Sequence, residues 1–164
     1  MAFDSTIGGA SANSYASVAD ADAYFADRPS SSDWSGVSDK EKALVQATDY
    51  LDNFAYSGYQ TDSSQALAHP RSNLVNREGS GFIGTAVIAS DILKACYELA
   101  LYLDTNASLF VIDDTVTDVK IGPIAIKQER KEFGEYSSLP MNVKRLIDPY
   151  LSSGTVRNPT LTRG

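Results

Sequence analysis

The chain has one cysteine, one histidine and one tryptophan among its 164 residues. Because Cys96 is alone, no disulfide can form within the chain, and its apolar neighbours in a predicted helix indicate a buried thiol. Because His69 is the only imidazole, a metal site would need carboxylates or Cys96 as further ligands, and a catalytic triad would depend on this residue. The sequence brings no such set together, so we expect no metal, no cofactor and no catalysed reaction.

Long apolar runs are also missing. The longest, at 95–103, is interrupted by Glu98 and falls well short of the roughly 20 residues that cross a bilayer. The N-terminus shows no basic segment followed by an apolar one. We therefore expect a soluble protein without a recognisable secretion signal, held in a reducing cytosol and without a membrane partner.

Basic residues are scarce in the first part of the chain. The formal net charge is -7, and residues 1–66 contain ten acidic and three basic side chains. Residues 120–164 have the opposite balance, with eight basic and four acidic side chains. This asymmetry is typical of identical copies that pack head to tail, and it is equally typical of a mixed solvated surface.

Hydrophobic periodicity predicts a first helix soon after the N-terminus. It begins after Ser17, which can cap the helix together with Asp20, and it ends at Arg28, which precedes a proline. The following segment, 30–37, is polar apart from Trp34 and Val37, and we predict a loop there.

A second helix opens at a capping box formed by Ser38 and Glu41. Its predicted buried stripe consists of Leu44, Ala47, Tyr50, Leu51 and Phe54. A third helix over 87–104 is apolar around most of its circumference and should be central, and a short last helix follows Pro140.

These elements predict a mainly α fold, a small bundle of about four helices in one domain over 14–151. Within it, 55–86 forms a long polar loop, and alternation at 115–128 predicts a short β-hairpin. Residues 1–13 and 152–164 lack a buried pattern, and we predict that they form extended N- and C-terminal arms.

A glycine pattern at 79–84 matches Gly-x-Gly-x-x-Gly and precedes a predicted helix, the context that a dinucleotide phosphate needs. A dinucleotide site also requires a strand directly before the glycines and an acid at the end of the next strand. Here Asp104, about twenty residues on, closes a helix. The pattern therefore favours a flexible turn, and His69, which precedes Pro70, is expected to pack in a fixed turn position.

Aromatic residues of the long loop are of the kind that stacks on single-stranded nucleic acid, Tyr56 and Tyr59 in particular. Such binding also needs a basic groove, and this loop offers only Arg71 and Arg77. We therefore favour loop anchoring or subunit contact for these tyrosines.

Charged clusters supply the remaining candidates. Asp20 and Asp27 share one face of the first helix while Asp22 points away, so the three cannot converge on one ion. The best basic cluster fits DNA phosphates and an acidic neighbour equally well. The candidate residues for contact with another subunit or a partner are Asp20, Asp27, Tyr56, Tyr59, Arg71, Lys127, Arg130, Lys131, Lys144 and Arg145.

Several segments, taken in order, resemble the small head-tail connector, or adaptor, proteins of tailed bacteriophages. The resemblance covers nearly the whole chain, although no single motif is a catalytic signature. The segments are ANSYASVADADAYF at 12–25, Trp34, KALVQATDYLD at 42–52, QALAHPR at 65–71, CYELA at 96–100 and IGPI at 121–124.

The resemblance implies a structural virion protein, assembled in the cytoplasm of a bacterial host. Identical copies would form a ring, expected to be dodecameric, beneath the portal protein, join the capsid to downstream neck or tail proteins, and extend the DNA channel for genome retention and ejection. Double-stranded DNA would pass through without sequence-specific binding.

Two alternatives remain open. Some similar sequences carry a label derived from a primosomal protein, which implies a single-stranded-DNA-binding replication accessory. We favour the ring because an acidic chain without a basic aromatic platform suits a conduit along which DNA slides. A small enzyme using Asp20, Asp27 or His69 is the least favoured, because no nucleophile and base are placed together.

Overall fold

The computed structural model describes residues 2–106, 118–121, 124–127 and 139–152. Over this part the fold is mainly α, as the periodicity predicts. The described helices are α1 (Val18–Ala26), α2 (Ser31–Gly36), α3 (Lys40–Asp52), α4 (Ser90–Thr105) and α5 (Met141–Ile147), with a 3-10 turn at Asp148–Tyr150 directly after α5.

The described strands form two antiparallel pairs: β1 (Tyr59–Gln60) with β2 (Arg71–Ser72), and β3 (Asp118–Ile121) with β4 (Ile124–Lys127). Asp118 lies opposite Lys127 and Ile121 opposite Ile124, so the hairpin predicted at 115–128 is confirmed and pairs within the chain. Its other residues, including Gly122 and Pro123, lie outside the described residues.

The start of α1 follows from its capping sequence. The Ser17 hydroxyl accepts a hydrogen bond from the Asp20 amide at 3.1 Å and donates one to the Asp20 carboxylate at 2.6 Å. These bonds satisfy backbone and side-chain groups at the helix end, as predicted. Ala21 and Phe25 are buried on the inner face, and the helix ends at Ala26, shortly before Arg28.

The loop predicted at 30–37 is wrong, because this segment contains α2. Trp34 is only 2% exposed and stacks on Phe25 with ring centroids 4.9 Å apart. Its indole N–H donates to the Asp22 carboxylate at 2.7 Å, which anchors α2 to α1. Helix α2 has only six residues and one buried aromatic side chain. Its sequence is too short to show helical periodicity, so the helix is not predicted from the sequence.

The cap predicted for the second helix is wrong by one residue. The N-cap of α3 is Asp39, whose carboxylate accepts from the Lys42 amide at 3.2 Å, while Ser38 is exposed. Asp and Ser are both favourable N-cap residues. The local sequence therefore allows the helix to begin after either Ser38 or Asp39 with similar stability. Within the predicted stripe, Tyr50 and Phe54 are partly buried against the core.

Helix α4 is central, as its apolar circumference predicts. It packs against both α3 and α5. It begins at Ser90, after a turn in which the Val87 amide bonds to the Gly84 carbonyl at 3.3 Å. The buried side chains of α4 are Ile92, Ala95, Cys96, Tyr97, Leu99, Ala100 and Leu103.

The stretch at 55–86 has no helix but is well organised. After the β1–β2 pair, residues 75–82 form a second ribbon. In it Val75 lies opposite Phe82, and the Asn76 amide donates to the Gly81 carbonyl at 2.8 Å. The Ser57 amide donates to the Tyr150 carbonyl at 2.8 Å, so the start of this stretch is tied to the chain after α5. Short ribbons with exposed faces give little hydrophobic alternation, which is why the sequence predicted only a loop.

The segment before α1 lacks helix and strand but does not extend away from the domain. The Asp4 carbonyl accepts bonds from the Asn13 and Ser14 amides at 2.9 and 3.1 Å, and the Gly9 carbonyl accepts from Ala66 at 3.1 Å. The predicted N-terminal arm is thus corrected to a folded-back segment over its described residues, 2–13. The predicted C-terminal tail lies outside the described residues beyond Ser152.

Candidate functional site

The acidic candidates of α1 lie at the surface. Asp20 and Asp27 are exposed, and Asp20 is engaged by the Ser17 cap. Asp22 has a different environment, since its carboxylate accepts from the Trp34 indole and from Lys40 Nζ, each at 2.7 Å. The hydrogen bonds from Lys40 and Trp34 lower the pKa of Asp22. These carboxylates therefore cap, anchor and charge the surface of α1, and they do not converge on one point.

Arg71 is an internal clamp. Its guanidinium donates to the carbonyls of Ser57, Gly58 and Ala68 at 2.8, 2.8 and 3.1 Å, and to that of Tyr56 at 3.3 Å. These bonds fasten the three residues before β1 and the turn before β2 to one side chain. A guanidinium with its donors engaged in this way has little capacity left for a partner, so the predicted contact role of Arg71 is corrected to a structural one.

Tyr56 is likewise inside the protein. It is 5% exposed, and its hydroxyl donates to the Leu51 carbonyl at 2.8 Å. The prediction that it offers a surface to a partner is therefore corrected. Tyr59, three residues on, is 59% exposed on β1 and remains available for contact. Tyr56 lies before β1 and pairs with Leu151, whereas both residues of β1 are exposed.

The predicted basic cluster is only partly described. Arg145 is exposed on α5, and Lys144 is half-buried beside it. Lys127 lies at the end of β4, opposite Asp118. Arg130 and Lys131 lie outside the described residues.

The first two glycines of the pattern at 79–84 lie in the turn of the second ribbon, where the sequence predicted a turn. Gly79 has φ +72° at the tip, where its amide donates to the Asn76 carbonyl at 2.9 Å. Helix α4 begins only at Ser90, so the glycines do not lead directly into a helix N-terminus that would hold a phosphate.

His69 packs in the core. It is 1% exposed, and the rings of Tyr15 and Tyr56 meet its ring edge-on with centroids 5.5 and 4.4 Å away. Neither ring nitrogen has a hydrogen-bond partner within the described part of the chain. Burial, with a smaller contribution from the charge of Arg71, lowers the pKa of His69 from 6.5 to about 3. The imidazole is therefore neutral at physiological pH, which confirms the predicted packing role.

An arrangement that the sequence did not reveal lies at the start of α4. Asp91 receives Arg77 Nη1 at 2.9 Å, the Tyr150 hydroxyl at 3.2 Å and Lys94 Nζ at 3.6 Å. Arg77 Nη2 also approaches the Arg145 carbonyl at 3.4 Å. The second ribbon, α4 and the 3-10 turn after α5 therefore meet at one carboxylate.

Exposed apolar side chains lie on the ribbon that carries Arg77. Phe82 is 69% and Val75 is 38% exposed, although the two pair across the ribbon. We call the surface formed by Val75, Arg77, Phe82, Lys94 and Arg145 the Arg77 edge. An exposed phenylalanine on the same ribbon as an arginine makes this edge the candidate binding surface. Of these contacts, the sequence spacing predicts only the ion pair between Asp91 and Lys94, which lie three residues apart on one face of a helix.

Within the described residues, no three or more His, Cys, Asp or Glu side chains are grouped as metal ligands. A search of the same residues finds no helix with the length and apolar character needed to cross a bilayer. The described chain thus defines a class: a small, mainly α protein with acidic N-terminal helices and one edge that combines cations with an exposed aromatic.

The comparison with family models gives a match along the whole chain. The protein belongs to the family described as "Putative DnaT-like ssDNA binding protein", whose model matches residues 1–164. Neither the curated proteins nor the solved structures yield a match. The family match supports the alternative of single-stranded-DNA binding better than the connector interpretation, for which these comparisons provide no support.

Proposed function

We propose that the protein binds single-stranded DNA through the Arg77 edge. The observation that carries this proposal is the exposed Phe82, which lies on the same ribbon as Arg77. The guanidinium of Arg77 and the ammonium of Lys94 both pair with the carboxylate of Asp91. Proteins that bind single strands without sequence preference combine aromatic side chains, on which bases stack, with cations that follow the phosphates. The family description names the same ligand.

The expected affinity is modest. Phe82 offers one stacking surface, worth about 1–3 kcal/mol, and Tyr59 on the neighbouring ribbon offers a second. Arg77, Lys94 and Arg145 can neutralise two or three phosphates, which predicts a slope of about -2 for log affinity against log salt. Glu78, next to Arg77, and the net charge of -7 both oppose the approach of DNA. Binding should therefore be measurable at low salt and weaken about fifteenfold between 50 and 200 mM.

Fluorescence anisotropy with a labelled oligothymidine tests this proposal. Phe82→Ala removes the stacking surface and should weaken binding about fivefold or more, and Lys94→Gln should weaken it and flatten the salt slope. Ile7→Ala and Lys42→Gln are matched controls, since Ile7 is 50% exposed and the Lys42 side chain 86% exposed, both outside the Arg77 edge. A flat titration of the wild-type protein at low salt would refute the proposal.

A second candidate function, the head-tail connector, is favoured by the charge of the helical surface. Asp20 on α1, Asp27 directly after α1 and Asp33 on α2 are all exposed. Such a surface repels DNA phosphates, which suits the wall of a channel through which double-stranded DNA slides. In this proposal the protein is a non-enzymatic virion component, without a cofactor. Its partners are further copies of the chain, the portal protein and the neck or tail proteins.

Light scattering of the protein, alone and mixed with portal protein, tests the connector proposal. A ring or a portal complex, together with a flat single-stranded-DNA titration, would favour the connector over the DNA-binding accessory. A monomer that never joins portal or tail proteins would exclude the connector. Electron microscopy of particles would then show where the subunit lies.

A further inference from the structure

Three donors from three segments surround the Asp91 carboxylate. Arg77 Nη1 and the Tyr150 hydroxyl both reach Oδ2, at 2.9 and 3.2 Å, and Lys94 Nζ lies 3.6 Å from Oδ1. The side chain of Asp91 is 13% exposed, whereas those of Arg77 and Lys94 are 51% and 42% exposed. The carboxylate is thus enclosed, while the cations that hold it still face solvent.

Guanidinium, ammonium and hydroxyl groups are also the donors that bind a phosphate diester. A carboxylate and a phosphate present their oxygens to arginine in similar geometry, so the two anions compete for one guanidinium. In the free protein Asp91 therefore pairs with Arg77, which lies on the ribbon that carries the exposed Phe82, and with Lys94 on α4.

We propose that Asp91 occupies the place of a DNA backbone phosphate in the free protein and so restrains binding at the Arg77 edge. This inference rests on the proposed single-stranded-DNA function and adds its regulation. A strand that enters the edge exchanges the carboxylate of Asp91 for one of its phosphates, and the binding free energy is reduced by the ion pair that is broken.

The electrostatics of Asp91 agree with this role. Burial alone raises the pKa of its carboxyl group, but hydrogen bonds from Arg77 and Tyr150, with the charges of Arg77 and Lys94, lower it overall. Asp91 is therefore ionised near neutral pH. Glu78 on the ribbon is the other carboxylate close in sequence to Arg77, and it is exposed.

The test compares Asp91→Asn with Asp104→Asn, which removes the same charge from an exposed position at the other end of α4. Asp91→Asn should bind oligothymidine about threefold to fivefold more tightly than the wild type, because Arg77 and Lys94 are released. Its salt slope should steepen by about 0.7, because in the wild type the released Asp91 carboxylate takes up a cation, which offsets the contribution of one phosphate contact to a single strand. Asp104→Asn should change the affinity less than twofold.

The outcomes separate this inference from the function on which it rests. If the wild type binds and Asp91→Asn matches Asp104→Asn in affinity and slope, the inference is overturned and the function stands. If neither the wild type nor Asp91→Asn binds, both are overturned. If only Asp91→Asn binds, the function proposed for the wild type is overturned, while the restraint by Asp91 is supported.

A measurement on the wild-type protein tests the inference even if the Asp91→Asn variant fails to fold. The carbon-13 signal of the Asp91 carboxyl group should shift when oligothymidine is added, because Arg77 leaves it. No shift at saturation would overturn the inference. Inorganic phosphate at the same phosphate concentration is the comparison, and an equal shift with it would show that free phosphate suffices and would overturn the assignment to DNA.

Discussion

Acidification from pH 7 to 5 should destabilise this protein through His69. Its ring is 1% exposed between Tyr15 and Tyr56, and burial lowers its pKa to about 3. In the unfolded chain the same imidazole has its ordinary pKa of 6.5. As pH falls below 6.5 the unfolded state therefore binds a proton that the folded state does not, and stability decreases until about pH 3.

The magnitude follows from the difference between the two pKa values. Each unit of pKa difference corresponds to about 1.4 kcal/mol, so about 3.5 units give a limit of about 5 kcal/mol at pH 3. At pH 5 the loss is about 2 kcal/mol. A protein of this size has an m-value of about 2 kcal/mol per molar urea, so the urea midpoint should fall by about 1 M between pH 7 and 5.

Urea unfolding followed by tryptophan fluorescence measures this loss, because Trp34 is the only tryptophan and is buried. His69→Phe keeps an aromatic ring between the two tyrosines but cannot titrate, so its midpoint should change little over the same pH range. Carboxylates with lowered pKa values, such as Asp22, lose their contribution only below about pH 4. Equal pH dependence in the wild type and His69→Phe would refute the reasoning.

Two further predictions concern the loop that carries the Arg77 edge. Arg71→Lys should lower stability by about 2–3 kcal/mol, measured by urea unfolding, because an ammonium cannot donate to all four carbonyls that the guanidinium reaches; an unchanged midpoint would contradict the clamp. Gly58→Ala should be more destabilising than Gly79→Ala, since both have φ +72° but only at Gly58 would a Cβ lie 2.3 Å from the Ser72 carbonyl oxygen. The Gly79 variant isolates the cost of the backbone conformation, about 1 kcal/mol, and equal losses would contradict the clash.

Elements governed by short-range signals could be predicted from the sequence. Ser17 caps α1 through a residue three positions away, and the apolar circumference of α4 places it at the centre. The alternation around Ile121 predicted the β3–β4 hairpin. The exceptions have equally local causes: Asp39 competes with Ser38 as a cap, and α2 is too short to show a period.

The candidate site was less predictable. The sequence singled out Arg71 and Tyr56 as contact residues, yet the fold turns both inward. It gave no weight to Phe82, and Arg77 appeared only as one of two loop cations. Nothing in the sequence near Arg77 indicates that its partners are Asp91, fourteen positions away, and the Arg145 carbonyl, sixty-eight positions away.

The sequence by itself determined the helical class, the helix start at Ser17, the central position of α4, the acidic balance and the presence of a single histidine. These properties depend on composition or on neighbours within about four residues, so a linear pattern contains them. Only the tertiary structure decided that His69 loses its solvent, that Arg71 becomes a clamp and that Asp91 joins three segments. Burial and ion pairing arise where segments distant in sequence pack together. The free energy of a charged or polar group depends on the residues that surround it there.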